Sequence, residues 1–142
     1  MSVLLDTNVL SEVLRARPDS TLLAWVAAQP ANGLFVSAVT QAEMMLGARL
    51  LPAGQRRQRL EGALEAMFLE DFVGRILPFD SSCARGYADV VSARRRAGTP
   101  ISQFDAQIAA IALSHRLQLA TRNVSDFEGC GVALTNPWGT DD

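Results

Sequence analysis

Val3-Leu4-Leu5 is an apolar run without polar alternation, and it ends directly on Asp6. A run of that kind fits a strand covered on both faces, as strands are inside a parallel sheet. Leu34-Phe35-Val36, Arg75-Ile76-Leu77-Pro78-Phe79, Leu117-Gln118-Leu119-Ala120 and Val132-Ala133-Leu134 read the same way. Helical patterns separate most of these runs, so the predicted order is strand, helices, strand, helices, strand, helix, helix, strand, strand. Strands alternating with helices predict an α/β fold with a central, mainly parallel β-sheet flanked by helices on both faces. In such sheets ligands bind at the carboxyl ends of the strands, and Asp6 stands at one.

The helices carry local signals. Val9, Leu10, Val13 and Leu14 form one apolar face of a helix from Val9 to Arg17, stopped by Pro18. Asp19 or Ser20 caps a second helix through Ala28. Ser37 or Thr40 opens a third, which runs to Pro52. Thr40-Gln41-Ala42-Glu43 has the spacing of a capping box, which gives Glu43 a purely structural role. Gln55 to Asp71 reads as one long helix. Ser81 or Ser82 caps a helix to Ala97, with Gly98 closing it. Arg94-Arg95-Arg96 lie in its last turn, where a solvated helix end is the default reading. Ser102 caps Gln103 to His115, and Asp126-Phe127 falls in a loop or a single helical turn.

At 142 residues the chain reads as one domain, 1–142, with a polar tail from Gly139 to Asp142 expected to fray. Net charge is −2, so no global basic field advertises a nucleic-acid partner. All 13 basic residues are Arg and none is Lys. Cys83 and Cys130 are far apart and read as reduced, small core or surface residues. No apolar run is long enough to cross a bilayer, and a cytoplasmic protein is expected.

Four acids gather at predicted strand ends. Asp6 follows strand one, Glu43 lies early in the helix after strand two, Asp105 opens the helix before strand four, and Asp126 follows strand four. Taken singly, each reads as a cap or a surface charge. Taken together in one crevice they repel one another unless protons or cations compensate. Carboxylates with water are ligands for Mg2+ or Mn2+, which can activate water and neutralise a phosphodiester transition state. The lone His115 supplies no zinc site of the His-rich kind, and no glycine-rich phosphate loop is present.

Resemblance adds to this reading. Leu5-Asp6-Thr7-Asn8-Val9-Leu10-Ser11-Glu12 resembles the opening of PIN-domain nucleases, most closely the VapC and FitB toxins of bacterial toxin–antitoxin pairs. Val36 to Glu43, Phe104 to Ala112 and Thr121 to Phe127 resemble that family's later motifs, in the right order. The resemblance implies a PIN-like fold and a Mg2+-dependent endoribonuclease, with Mn2+ a possible substitute. It makes Asp6, Glu43 and Asp105 the acidic metal-site residues, with Asp126 a fourth. In many relatives an acid stands where Asn123 stands here, so Asn123, Asp126 or both would serve the site. Thr7 and Asn8 would orient the cluster, although capping of the first helix explains them equally. The resemblance further implies a homodimer and inhibition by a cognate antitoxin, in a heterotetramer or larger assembly that touches DNA only through the antitoxin. Met44-Met45-Leu46 and the apolar face around Leu60 to Phe68 are candidates for such partner contacts, with core the default reading.

Other readings share the acids: a PIN-domain nuclease acting on structured DNA or in RNA processing, and a catalytically inactive PIN binding module. A phosphoacceptor receiver domain fits poorly. It expects adjacent acids after strand one and a Lys after the last strand, and this chain has Leu5-Asp6 and no Lys.

Overall fold

The computed structural model describes residues 2–139. The elements are β1 (Val3–Leu5), α1 (Thr7–Val13), α2 (Ser20–Ala28), β2 (Leu34–Ser37), α3 (Ala38–Arg49), α4 (Gln55–Ala66), β3 (Ile76–Leu77), α5 (Ala84–Arg96), α6 (Gln103–His115), β4 (Gln118–Ala120) and β5 (Leu134–Thr135). The strands form one parallel sheet in the order β3-β2-β1-β4-β5, the all-parallel form of the expected architecture. The chain builds outward from β1 to β2 and β3, then returns to the other side of β1 for β4 and β5. The reversal of strand order therefore falls between β1 and β4, where open α/β sheets form a crevice.

Side chains alternate across each strand and divide the core in two. Val3 and Leu5 face a cluster with Val9, Leu22, Met44, Leu64 and Phe68, so α1 to α4 cover that face. Leu4 faces the opposite cluster with Val90, Ile108, Ile111 and Phe127, so α5 and α6 cover the other. A central strand buried on both sides needs apolar residues at every position, and Val3 to Leu5 supplies them.

Several boundaries differ from the sequence expectation. The first helix starts at Thr7, because Asp6 caps it, and stops at Val13 rather than Arg17. The buried Glu12 carboxylate then accepts from Arg15 and from the Asp19 backbone N–H, which turns the chain into α2. Asp19 caps α2 by accepting from Leu22 N–H at 3.0 Å. The long helix keeps α geometry only to Ala66 and ends in a π turn, Met67–Asp71. Ser81–Cys83 is a 3-10 turn capped by Asp80, and α5 proper begins at Ala84. The third strand narrows to Ile76–Leu77, and the last lies at Leu134–Thr135 rather than Val132–Leu134.

Two corrections bear on function. Ser37, not Thr40, caps α3: its hydroxyl accepts from the Thr40 backbone N–H at 2.9 Å. Thr40 is inside the helix, so the Thr40–Glu43 capping box does not form and Glu43 is released from that role. Arg94 is not at a solvated helix end. It falls one helical turn after Val90, on the buried stripe of α5, and is 8% exposed. Its guanidinium donates to the backbone carbonyls of Thr99, Asp126 (2.7 Å) and Glu128 (3.0 Å). Arg95 and Arg96 are exposed.

Met44 is core, whereas Met45 and Leu46 are more than half exposed, against expectation, because they fall on the outer face of α3. Cys83 and Cys130 are buried free thiols. No helix among the described residues is long and apolar enough to cross a membrane. The tail expected to fray is 139–142, of which residues 140–142 lie outside the described residues.

Arg94 generates the first prediction. Hydrogen bonds from a charged donor contribute roughly 1.5–3 kcal/mol each, and orphaned carbonyls add a cost. Arg94→Met should lower folding stability by about 3 kcal/mol in urea unfolding, and Arg94→Lys should recover only part, because Lys lacks the planar fork. An unchanged unfolding midpoint would contradict this role.

Candidate active site

Asp6 leaves β1 with extended backbone and caps α1, its Oδ1 accepting from Thr7 N–H at 2.8 Å. The β1–β4 register pairs Leu5 with Ala120, which brings the next residues, Asp6 and Thr121, side by side. The Thr121 hydroxyl donates to Asp6 Oδ2 at 2.8 Å. The Thr121 hydroxyl oxygen in turn accepts from Asn8 Nδ2 at 3.3 Å and from Asn123 N–H at 3.1 Å. One donor and two lone pairs are thereby all used, as a fully buried hydroxyl requires. Asn8 Oδ1 accepts from Arg122 N–H at 3.3 Å, tying the residues after β1 to the residues after β4.

Glu43 reaches the same crevice from the second turn of α3. The Thr7 hydroxyl donates to Glu43 Oε1 at 3.3 Å and lies 3.0 Å from the Thr40 hydroxyl. With the Thr7 proton committed to the carboxylate, Thr40 is the donor to Thr7. Asp105 enters from the first turn of α6, whose cap is Ser102. Asp126 lies in the 3-10 turn Val124–Phe127, which Arg94 grips through the Asp126 carbonyl.

All seven residues singled out in the sequence, Asp6, Thr7, Asn8, Glu43, Asp105, Asn123 and Asp126, line one cleft of about 560 Å³. Sequence reasoning missed Thr121 and Thr40, which hold the acids from behind. Their signal was slight: Thr121 directly follows a predicted strand, and Thr40 stood only as an alternative cap of the third helix. Arg122 and Trp138 line the cleft as well. A second cleft of about 830 Å³, largely apolar, adjoins it between α1, α3 and α4 and shares Thr7, Ser11, Arg15 and Glu43.

The electrostatics follow from this packing. Burial raises the Asp6 carboxyl above its ordinary range; the Thr121 and Thr7 hydrogen bonds oppose the rise, and the charges of Asp105 and Asp126 reinforce it. Glu43 is raised by burial, opposed by Thr7 and reinforced by Asp6 and Asp105. Asp105 is raised by burial, opposed by Ser102 and by the charge of Arg94, and reinforced by Asp126. Asp6, Glu43 and Asp105 therefore each sense the charge of a neighbouring acid. Their donor set is hard oxygen, which suits Mg2+ or Mn2+ rather than soft-ligand metals. Among the described residues no three His, Cys, Asp or Glu side chains are grouped so as to hold an ion by themselves. Mg2+ commonly retains several waters and takes only one or two carboxylates, so the open arrangement fits such a cation.

Comparison with known proteins places these features in context. A family model described as "PIN domain" matches residues 3–128. The chain is 43% identical over 136 residues to a VapC ribonuclease from Sinorhizobium fredii, covering 96% of this chain and 97% of the relative. It is 42% identical over 136 residues to the toxin FitB from Neisseria gonorrhoeae, covering 96% and 98%. Among solved structures, FitAB bound to a DNA fragment matches with a TM-score of 0.91 and 40% identity, over 99% of this chain and 98% of that one.

The raised carboxyls predict how stability depends on charge. A folded state that binds a proton more readily than the unfolded chain loses stability as pH rises from the ordinary carboxylate range through the folded value. Asp105→Asn should therefore melt higher than wild type in chelator at pH 7, with the gap closing at about pH 3, below both values. Mg2+ should stabilise wild type by about 1.4 kcal/mol per tenfold excess over its dissociation constant and the variant much less. A variant that melts lower in chelator and answers Mg2+ as wild type does would make Asp105 a helix-end residue only.

Proposed function

The chain belongs to the PIN-domain family, and we propose that it is a Mg2+-dependent endoribonuclease, the toxin of a VapBC- or FitAB-like toxin–antitoxin pair. The observation that carries the proposal is the convergence of Asp6, Glu43, Asp105 and Asp126 on one cleft at the reversal of strand order. The near full-length likeness to a VapC ribonuclease and to the toxin FitB supports the substrate class and the biological role.

Of Asp6, Glu43, Asp105 and Asp126, one or two would hold the cation directly and the others through its waters. When bound, Mg2+ or Mn2+ supplies activation of a water for attack on phosphorus and neutralisation of charge on the phosphodiester. The protein's own work is orientation. Thr121 and the Thr7 N–H pin both oxygens of Asp6, which lines the cleft. Thr7 fixes Glu43 against α1. Asn8 and Asn123 hold Thr121 in the rotamer that serves Asp6. Arg94 sets the backbone that presents Asp126.

For partners, we propose a homodimer, a cognate antitoxin and DNA contact through that antitoxin alone. The solved FitAB complex bound to a DNA fragment supports the antitoxin partner and the DNA contact by similarity. The largely apolar cleft that opens into the acid cleft offers a path for a partner segment. Met45, Leu46 and Leu50, each more than half exposed on or just after α3, offer apolar surface for association.

Two experiments follow. Purified protein incubated with total RNA should cut it in Mg2+ and not in chelator. Loss of a group that merely supports a metal ligand costs about 10–100-fold, so Asp6→Asn should lower cleavage by about 100-fold or more while remaining folded. Cleavage at the wild-type rate would remove Asp6 from the site. In the second, the antitoxin encoded beside this chain should protect RNA. If its inhibition works by an Arg pairing with the acids, it should also weaken Mg2+ binding; unchanged metal affinity in the inhibited complex leaves steric blockade instead.

A further inference from the structure

Arg122 is a cation among acids that it does not neutralise. It lines the cleft beside Asp6, Asp126 and Trp138. Its guanidinium carbon lies 5.1 Å from the centroid of the Trp138 ring. Among the described residues the ion pairs join Arg15 to Glu12, and Arg49 and Arg57 to Glu61; Arg122 forms none. Charge alone would draw so exposed a side chain onto a cleft carboxylate. A cation–π contact with the indole face holds it elsewhere.

Both ends of this contact are anchored. The Arg122 backbone N–H donates to Asn8 Oδ1. Trp138 is half-buried against the core around β1, follows the buried Pro137, and donates its backbone N–H to Asn136 Oδ1 at 3.0 Å. Arg15, the other cation of the cleft, is occupied by Glu12 at 3.2 Å. Arg122 is thus the preorganised cation of this cleft. Stacking uses the face of a guanidinium and leaves its edge donors for a bidentate acceptor. The Trp138 face is covered by Arg122, which favours a phosphate over a stacked base as the ligand. A polyanion approaching four carboxylates meets repulsion, and a cation kept free of them offsets it.

We propose that Arg122 binds the phosphate of a nucleotide next to the scissile bond, and that Trp138 is its positioning residue. This rests on the ribonuclease function proposed above and adds the group that grips the RNA backbone.

Binding isolates the claim from cleavage. In the Asp6→Asn background with Mg2+ present, fluorescently labelled single-stranded oligo(U) and oligo(A) are titrated at several salt concentrations. Arg122→Gln should weaken both about 10-fold, and the slope of log affinity against log salt should fall by about 0.7, the loss of one single-strand phosphate contact. Arg122→Lys should keep the slope and recover only part of the affinity. Trp138→Leu should weaken binding less and leave the slope unchanged, since the charge remains. A methylphosphonate scan of the oligonucleotide should find one position whose penalty disappears in Arg122→Gln. Unchanged affinity and slope in Arg122→Gln overturns the proposal, as does a loss seen with one base and not the other. Failure of wild type to cut RNA overturns the ribonuclease function alone and is read from a separate assay.

Discussion

Asp6 is 6% exposed, and its carboxylate accepts from the N–H of the next residue, Thr7, and from the hydroxyl of Thr121, 115 positions along the chain. An ionised carboxylate cannot be withdrawn from water without such partners. Those two bonds therefore decide where β1 ends, where α1 begins and how β4 sits beside β1. The backbone continues the same junction, with Asp6 N–H donating to the Ala120 carbonyl at 2.9 Å. Strand pairing and site geometry are one arrangement here, so a shift of register between β1 and β4 would remove the Thr121 partner and strand the acid.

Around that junction the protein accepts an electrostatic cost in order to keep its acids together. Burial and mutual repulsion raise Asp6, Glu43 and Asp105, and hydrogen bonds from Thr121, Thr7 and Ser102 only partly oppose the rise. A site optimised for the stability of the isolated chain would not place these groups in one cleft. Perturbed carboxyls in a crevice are a mark of function, because the strain is relieved by what binds. The supporting groups are mostly neutral hydroxyls and amides; the buried Arg94 spends its guanidinium on carbonyls and offsets the acids' charge only in part, at Asp105.

Much of this was legible beforehand for local reasons. The apolar triplet Val3 to Leu5 marks a strand covered on both faces, and Ser102 marks the start of α6 at the residue where it occurs. Other local signals were ambiguous. Ser37 and Thr40 are both competent caps three residues apart, and only the end of β2 at Ser37 selects between them. Arg94 sits in a run of three arginines that favours a helix terminus. The packing of α5 against its neighbours turns one of the three inward, to carbonyls as far as Glu128.

The sequence by itself determined the order of strands and helices and the presence of an acid near several strand ends, because periodicity and capping act over a few residues. It did not determine which strands are neighbours, that Thr121 would meet Asp6 across 115 positions, or that Arg122 would lie on Trp138. Those contacts join segments whose separation along the chain carries no local signal. They form only when two apolar faces of β1 are covered at once, and the covering helices then fix the strand order and bring the remote side chains into one cleft.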